Sequence, residues 1–320
     1  MDALYNAAKP RVVAIGGPTA TGKTALSVAL AKRFGGEIIS ADSMQIYQGL
    51  DVGTAKVTPE EMQGVPHHLV GFLAPEQAFS VADFTTLAGK TITQLTAQGR
   101  LPLVVGGTGL YITSLLNGIG FTPEKVDPAI RQELQARLQT EGSQALYAEL
   151  AAVDPGYAAK VHPNNTPRVI RALELYRATG RKMSAEREAA RPAEKPYRSL
   201  CLCLTCRDRT LLYQRIDTRC DRMMQSGILE EAKLVYDHRD TYRTAAQAIG
   251  YKEFFPYFEG TADLESCLAH LKQASRNYAK RQLTWLRRNQ EIHWIVWEKE
   301  RDFGKALQIS TEILTAAGVC

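Results

Sequence analysis

The chain has 320 residues, 45% of them hydrophobic and 23% charged, with a formal net charge of +5. That balance belongs to an ordinary globular protein, and the length gives room for a core domain plus a smaller module. No apolar run approaches the length that spans a bilayer, and the N-terminal apolar run leads straight into a motif and does not form a secretory signal, so the expected location is cytoplasmic.

The first hundred residues alternate strand and helix. RVVAIGG (11–17) is a short apolar run bounded by glycines, the pattern of a buried parallel strand. TALSVALAKRFG (24–35) has helical spacing with a glycine stop, and GEIISA (36–41) reads as a second strand. FSVADFTTLAGKTITQLTAQG (79–99) predicts a helix and LPLVVGG (101–107) a third strand. The order βαβ…αβ predicts an α/β fold, a parallel sheet with helices on both faces. From about 121 to 195 the spacing is helical, charges are many and no strand stands out. Strand signal returns in YRSLCLCLTC (197–206), a helix is expected over about 208–237, and IHWIVW (292–297) reads as a late strand. The expected organisation is a P-loop α/β core over 1–120 and 196–320, with an all-helical domain inserted at 121–195. A helix from Leu271 to Arg288 places Lys272, Arg276, Lys280 and Arg287 on one arc, extended by Arg281 and Arg288. Leu271, Ala274, Tyr278, Trp285 and Leu286 fall toward the core.

Gly17-Pro18-Thr19-Ala20-Thr21-Gly22-Lys23-Thr24 matches G-x4-G-K-[ST], and it follows a strand and opens a helix, as a phosphate-binding loop must. Its glycines let backbone amides turn inward on phosphate oxygens, the helix N-terminus adds partial positive charge, Lys23 adds a full one, and Thr24 offers a hydroxyl to Mg²⁺. The third strand ends in Gly106-Gly107-Thr108-Gly109 with no acid. Many P-loop kinases and NTPases carry one at a comparable place. Here the acid follows the second strand, at Asp42 in ISADSMQIY, where a carboxylate at the carboxyl edge of a parallel sheet faces the ligand crevice. Asp42 could hold metal, act as a base, or simply cap a turn.

Cys201, Cys203 and Cys206 crowd together, but the stretch alternates like a strand and lacks paired CxxC units or a nearby histidine. They read, with Cys220, Cys267 and Cys320, as small residues of a reducing compartment. Between Lys160 and Arg209 there are 12 basic and 5 acidic side chains, a surplus of +7, which leaves the remainder at −2. A basic segment on a near-neutral body suits a polyanionic partner.

Taken together, GPTATGKT (17–24), ISADSMQIYQGLDVGTAK (39–56), VPHHLVGF (65–72), FSVADF (79–84), PLVVGGTGLYITSLL (102–116), HPNNTPRVIRALE (162–174), TAAQAIGYKEF (244–254) and YAKRQLTWLRR (278–288) resemble the bacterial tRNA dimethylallyltransferase family, also called tRNA isopentenyltransferases. The resemblance spans most of the chain in the family's order. It implies transfer of a dimethylallyl group from dimethylallyl diphosphate to the exocyclic amine of the adenine 3′ to the anticodon in tRNA. In that role Gly17 to Thr24 hold the diphosphate leaving group, with Mg²⁺ on Thr24. Asp42 accepts the amine's proton, and Thr108 hydrogen-bonds the nucleophile region. Arg219 resembles a family arginine on the diphosphate, with Arg215 and Arg222 as close alternatives. The tRNA-contacting segments implied are Asp42, Ser43, Met44 and Gln45; Pro167, Arg168, Val169, Ile170 and Arg171; Gln247, Ala248, Ile249, Gly250, Tyr251 and Lys252; and Lys280, Arg281, Gln282, Leu283, Thr284, Trp285, Leu286 and Arg287, with Arg131 in addition. In the second segment Pro167 and Ile170 depart from the family's more polar form, which leaves Arg168 and Arg171 as its expected contacts. His67 and His68 resemble a family pair and take no catalytic role. The target adenine would have to be flipped from its loop. The chain ends without the zinc finger that eukaryotic members append, which favours the bacterial form, and a monomer is the simplest expectation. A P-loop kinase with a helical lid is the alternative, against which stand the missing third-strand acid and the basic C-terminal helix. A non-catalytic RNA-binding module leaves the P-loop unexplained.

Overall fold

The structure, a computed structural model, describes residues 9–121, 127–190 and 192–319. Cys320, position 191 of the basic segment and positions 122–126 of the expected insertion lie outside them. In chain order the elements are β1 (Arg11–Gly16), α1 (Lys23–Phe34), β2 (Gly36–Ser40), α2 (Pro59–Met62), β3 (His67–His68), α3 (Val81–Ala97), β4 (Leu101–Val105) and α4 (Gly109–Leu116). There follow α5 (Pro128–Val153), α6 (Pro155–Ala158), α7 (Thr166–Thr179) and α8 (Met183–Ala189). The chain then continues through β5 (Arg198–Cys206), α9 (Arg209–Gln225), α10 (Ile228–Asp237), α11 (Phe255–Phe258), α12 (Leu264–Leu286), β6 (Ile292–Trp297) and α13 (Phe303–Ala316). Two compact units result: Met1–Leu116 with Pro196–Cys320, and Asn117–Lys195.

In the first unit the six strands run in the order β3-β2-β4-β1-β5-β6, and every pairing is parallel. Alternation along β1 explains the layering. Val13 and Ile15 join a core that includes Leu26, Leu30, Leu202, Leu212, Leu271 and Leu283, while Val12 and Ala14 join Phe84, Ala88, Ile92 and Tyr111 on the opposite face. Each face is therefore closed by helices, as near-continuous apolar strands require. The register Val13↔Leu103 and Ala14↔Cys201 brings the carboxyl ends of β1, β4 and β5 to one edge, where the phosphate loop leaves β1.

Several expectations are corrected. The single helix over 208–237 is two helices, because Gly227 takes a left-handed φ of 92° between α9 and α10. The C-terminal amphipathic helix begins at Leu264 with Asp263 capping Ser266 N, seven residues before the apolar spacing becomes regular. The GGTG turn opens directly into α4, and His67–His68 add a short edge strand; neither was visible as an element in the sequence. His68 Nε2 pairs with Glu37 Oε2 at 2.8 Å, and His67 Nδ1 bonds Val65 O at 2.8 Å.

The second unit is helical among its described residues. Leu134, Leu146 and Leu150 of α5 pack against Val169, Ile170 and Leu173 of α7. Arg137 and Arg177 share Glu149, with Glu141 and Glu133 at the ends of the network. Arg131 and Arg171 both reach Glu174, at 2.9 Å each, and Glu174 is buried. Of the cysteines described, Cys203, Cys206, Cys220 and Cys267 are buried, none forms a disulfide, and no cluster of metal-ligating side chains occurs among the described residues.

Candidate active site

The loop from Gly17 to Thr24 is fixed by its own atoms and by the C-terminal third of the chain. Thr21 is fully buried, and its Oγ1 donates to Pro18 O at 2.8 Å. Trp297 Nε1, from the end of β6, donates to Thr21 O at 2.8 Å, and Arg301 donates to the carbonyl of Ala20, whose φ of 62° is left-handed. Lys23 Nζ donates to Gly17 O at 3.1 Å and Pro18 O at 2.9 Å, so it lies over the loop. Burial pushes the Lys23 ammonium down to about 8; Arg219 acts in the same direction, and Asp42 opposes it. Arg219 is likewise shifted down by burial, with the Asp42 carboxylate pulling the other way. Lys23, Arg219 and Asp42 thus lie close enough to act on one another's charge. The three arginines of α9 are distinguished by this: Arg215 turns to Cys206 Sγ at 3.1 Å, and Arg222 is exposed.

Asp42 leaves the end of β2 and is half-buried. Its Oδ1 accepts from Met44 N at 2.9 Å and Gln45 N at 3.3 Å, which aims the carboxylate by a local turn. The turn reading of Asp42 therefore holds for one oxygen. Thr108 stands opposite: its amide donates to Ala41 O at 3.3 Å, and its Oγ1 accepts from Ser43 N at 3.3 Å. The approach is close enough that a Cβ on Gly106 would lie 2.1 Å from Ala41 O, so only glycine fits there. Tyr278 of α12 lies beside Thr108, and burial, with the nearby Asp42 carboxylate, pushes its phenol up to about 12. The helical pattern assigned Tyr278 to the core. The signal it passed over is that a buried tyrosine hydroxyl needs a partner.

Thr24, in the first turn of α1, lines a cleft with Ser27, Ile38, Ser40, Gln45 and His67. The donor chemistry here suits a hard cation held mainly by a diphosphate: one hydroxyl from Thr24 and no protein cage of three or more ligands among the described residues.

The segments expected to meet tRNA divide sharply by burial. Arg168, Arg171, Pro167, Gln247, Lys252, Lys280, Arg281, Thr284 and Arg287 are exposed. Val169 and Ile170 belong to the core of the helical unit, and Leu283 and Leu286 to that of the α/β unit, because α7 and α12 each turn one face inward. Tyr251 is fully buried with its hydroxyl donating to Glu231 Oε1 at 2.7 Å, and Ala248 and Gly250 are buried beside it, so these three are structural. Ile249 and Met44 pack partly against the core, and Gln45 Nε2 donates to Ala55 O at 2.9 Å. Gln282 is 7% exposed and spends its amide inside the protein, and Trp285 Nε1 donates to Thr113 Oγ1 at 3.2 Å. The proposed basic arc of α12 is shorter than its spacing suggests: Lys272 pairs with Asp221 and Arg276 with Asp217, each at 2.6 Å, both acids on α9. The exposed cations of this helix are Lys280 and Arg281, followed by Arg287 at its C-cap and Arg288 just beyond.

Comparison with known proteins decides the family. The family model described as "IPP transferase" matches residues 45–289, and one described as "Isopentenyl transferase" matches 10–70. A tRNA dimethylallyltransferase of Bacillus subtilis is 50% identical over 289 residues, covering 90% of this chain and 91% of that protein. This chain belongs to the IPP transferase family. Among solved structures, the tRNA isopentenylpyrophosphate transferase of Bacillus halodurans aligns with a TM-score of 0.72 at 44% identity, covering 97% of both chains. A eukaryotic dimethylallyltransferase solved acting on tRNA aligns with a TM-score of 0.79 at 29% identity, over 96% of this chain and 80% of that one. No described helix is long and apolar enough to cross a membrane.

Proposed function

We propose that the chain transfers a dimethylallyl group from dimethylallyl diphosphate to the exocyclic amine of the adenine 3′ to the anticodon in tRNA, releasing diphosphate. The observation that carries this reading is one juxtaposition: the turn-held carboxylate of Asp42 lies within electrostatic range of Lys23 and Arg219 at the mouth of the phosphate loop. No acid ends β4, where the chain reads Val105-Gly106-Gly107-Thr108.

The roles follow from charge. As the allylic C–O bond breaks, negative charge grows on the diphosphate, and Lys23, Arg219 and the loop amides meet it where it develops. Arg219 is favoured over Arg215 and Arg222 by its position. Mg²⁺ on the Thr24 hydroxyl would supply further neutralisation of the diphosphate. As the N–C bond forms, the amine loses a proton, which Asp42 accepts through the oxygen its turn leaves open. Thr108, oriented by Ser43, would hydrogen-bond the acceptor base. Extrusion of that base costs a few kcal/mol, to be offset by contacts to the flipped purine and its backbone. Arg168 and Arg171 of the helical unit, and Lys280, Arg281 and Arg287 of α12, present exposed cations to RNA phosphates.

The test is to incubate the protein with labelled dimethylallyl diphosphate, Mg²⁺ and unmodified tRNA. Label on the tRNA is the expected result. Transfer of the terminal phosphate of ATP to a small acceptor, with no label on tRNA, would replace this reading with that of a kinase.

A further inference from the structure

The inward face of α12 touches both halves of the site. Gln282, near its C-terminal end, is 7% exposed, and its Oε1 accepts from Thr19 N at 3.0 Å while its Nε2 donates to Gly107 O at 2.9 Å. One side-chain amide thereby ties the first turn of the phosphate loop to the turn that carries Thr108. The fit is close: a Cβ on Gly107 would lie 2.2 Å from Gln282 Nε2. Tyr278, four residues earlier, lies beside Thr108 and Gln282. Trp285, three residues later, reaches Thr113 of α4. The spacing 278, 282, 285 keeps these three on one stripe of the helix. Lys280, Arg281, Thr284, Arg287 and Arg288 are exposed on the same two turns. RNA held on the exposed side therefore bears on a rigid rod whose other side positions the diphosphate loop and the acceptor turn together.

We infer that Gln282 is a positioning residue that couples RNA bound on the basic side of α12 to the geometry of the diphosphate cradle. The inference rests on the transferase reading above. It assigns Gln282 an internal role in place of an RNA contact. A buried amide whose oxygen and nitrogen each hold a protein partner is committed to the interior, and it is sensitive to sub-ångström movement of either partner. Any coupling carried this way is reciprocal: if RNA raises diphosphate affinity, diphosphate raises RNA affinity by the same factor.

The experiment measures dimethylallyl diphosphate affinity by calorimetry with and without a saturating anticodon stem-loop. The acceptor adenine of that RNA is replaced by a purine lacking the exocyclic amine, so no transfer occurs. In the native protein the RNA should raise diphosphate affinity about 10-fold. Gln282→Met should reduce that factor to within about 2-fold of unity, with RNA affinity in the absence of diphosphate changed less than about 3-fold. Gln282→Glu keeps the acceptor for Thr19 N and loses the donor to Gly107 O; it should retain part of the coupling, and it carries the test if the methionine variant does not fold. Arg287→Ala should weaken RNA binding yet keep the full factor once RNA saturates. An undiminished factor in both Gln282 variants overturns the inference, as does a Gln282 variant whose loss is all in RNA affinity. A native protein that transfers the prenyl group but shows no coupling overturns the inference alone, whereas absence of any transfer to native tRNA overturns the reading beneath it.

Discussion

Asp42 is held by two backbone amides and still lies within range of two half-buried cations. A carboxylate aimed by its own turn keeps its direction when substrate arrives, which is what a general base requires. Asp42→Ala should therefore abolish prenyl transfer while tRNA affinity, read by filter binding, stays within a few fold; unchanged turnover would remove Asp42 from the chemistry. Lys23 gives a pH signature. Its ammonium is depressed to about 8 in the free protein, chiefly by burial. A bound diphosphate adds negative charge and raises it, so binding takes up a proton above that value. Diphosphate affinity should be flat below pH 8 and fall as pH rises beyond it. Lys23→Met should weaken binding throughout and erase that slope, as titration calorimetry at several pH values would show.

At the scale of the element, α12 shows how charge and burial divide one helix. Its N-terminal cations Lys272 and Arg276 are bound to Asp221 and Asp217 of α9, with side chains only 25% exposed. The C-terminal cations are exposed. Arg287→Ala should weaken tRNA binding and reduce the slope of log affinity against log salt by about 1. Lys272→Ala should leave that slope unchanged and cost about 0.5 kcal/mol of stability, the scale of a half-exposed ion pair. Equal salt slopes for the two variants would contradict this division. The same comparison shows why the helix was only partly legible in the sequence. Helical spacing located its two faces, but acids 50 to 60 residues away that neutralise one end cannot be read from periodicity.

For the whole molecule, the parallel sheet, both helical layers, the phosphate loop and the acid after β2 were legible, because each leaves a local pattern: apolar runs, glycine stops, a fixed motif. What escaped is made by distant contacts. Glu231 of α10 accepts from Asp51 N, Val52 N and Gly53 N at 2.7, 2.9 and 2.8 Å, and from the Tyr251 hydroxyl at 2.7 Å. This cap accounts for the burial of Tyr251 where an RNA contact was expected, while Gln247 and Lys252 of the same segment stay exposed. Glu231→Ala leaves three amides and a buried hydroxyl without their acceptor, and it should lower stability to denaturant by about 2–3 kcal/mol; a loss under about 0.5 kcal/mol would show that water replaces the carboxylate. The clamps on the phosphate loop from Gln282, Trp297 and Arg301 escaped for the same reason, since more than 250 residues separate each from its partner in the loop.

The central claim is that a diphosphate leaves from the loop around Lys23 while Asp42 takes the proton of an adenine amine. It is tested most directly by single-turnover transfer to unmodified tRNA, with the product digested and its modified nucleoside mapped by mass spectrometry, for the native protein and for Asp42→Asn. The native protein should add five carbons to the exocyclic nitrogen of the one adenine 3′ to the anticodon, and the variant should do so about 100-fold or more slowly. Addition elsewhere on the RNA, or an asparagine variant that transfers at the native rate, would contradict the account.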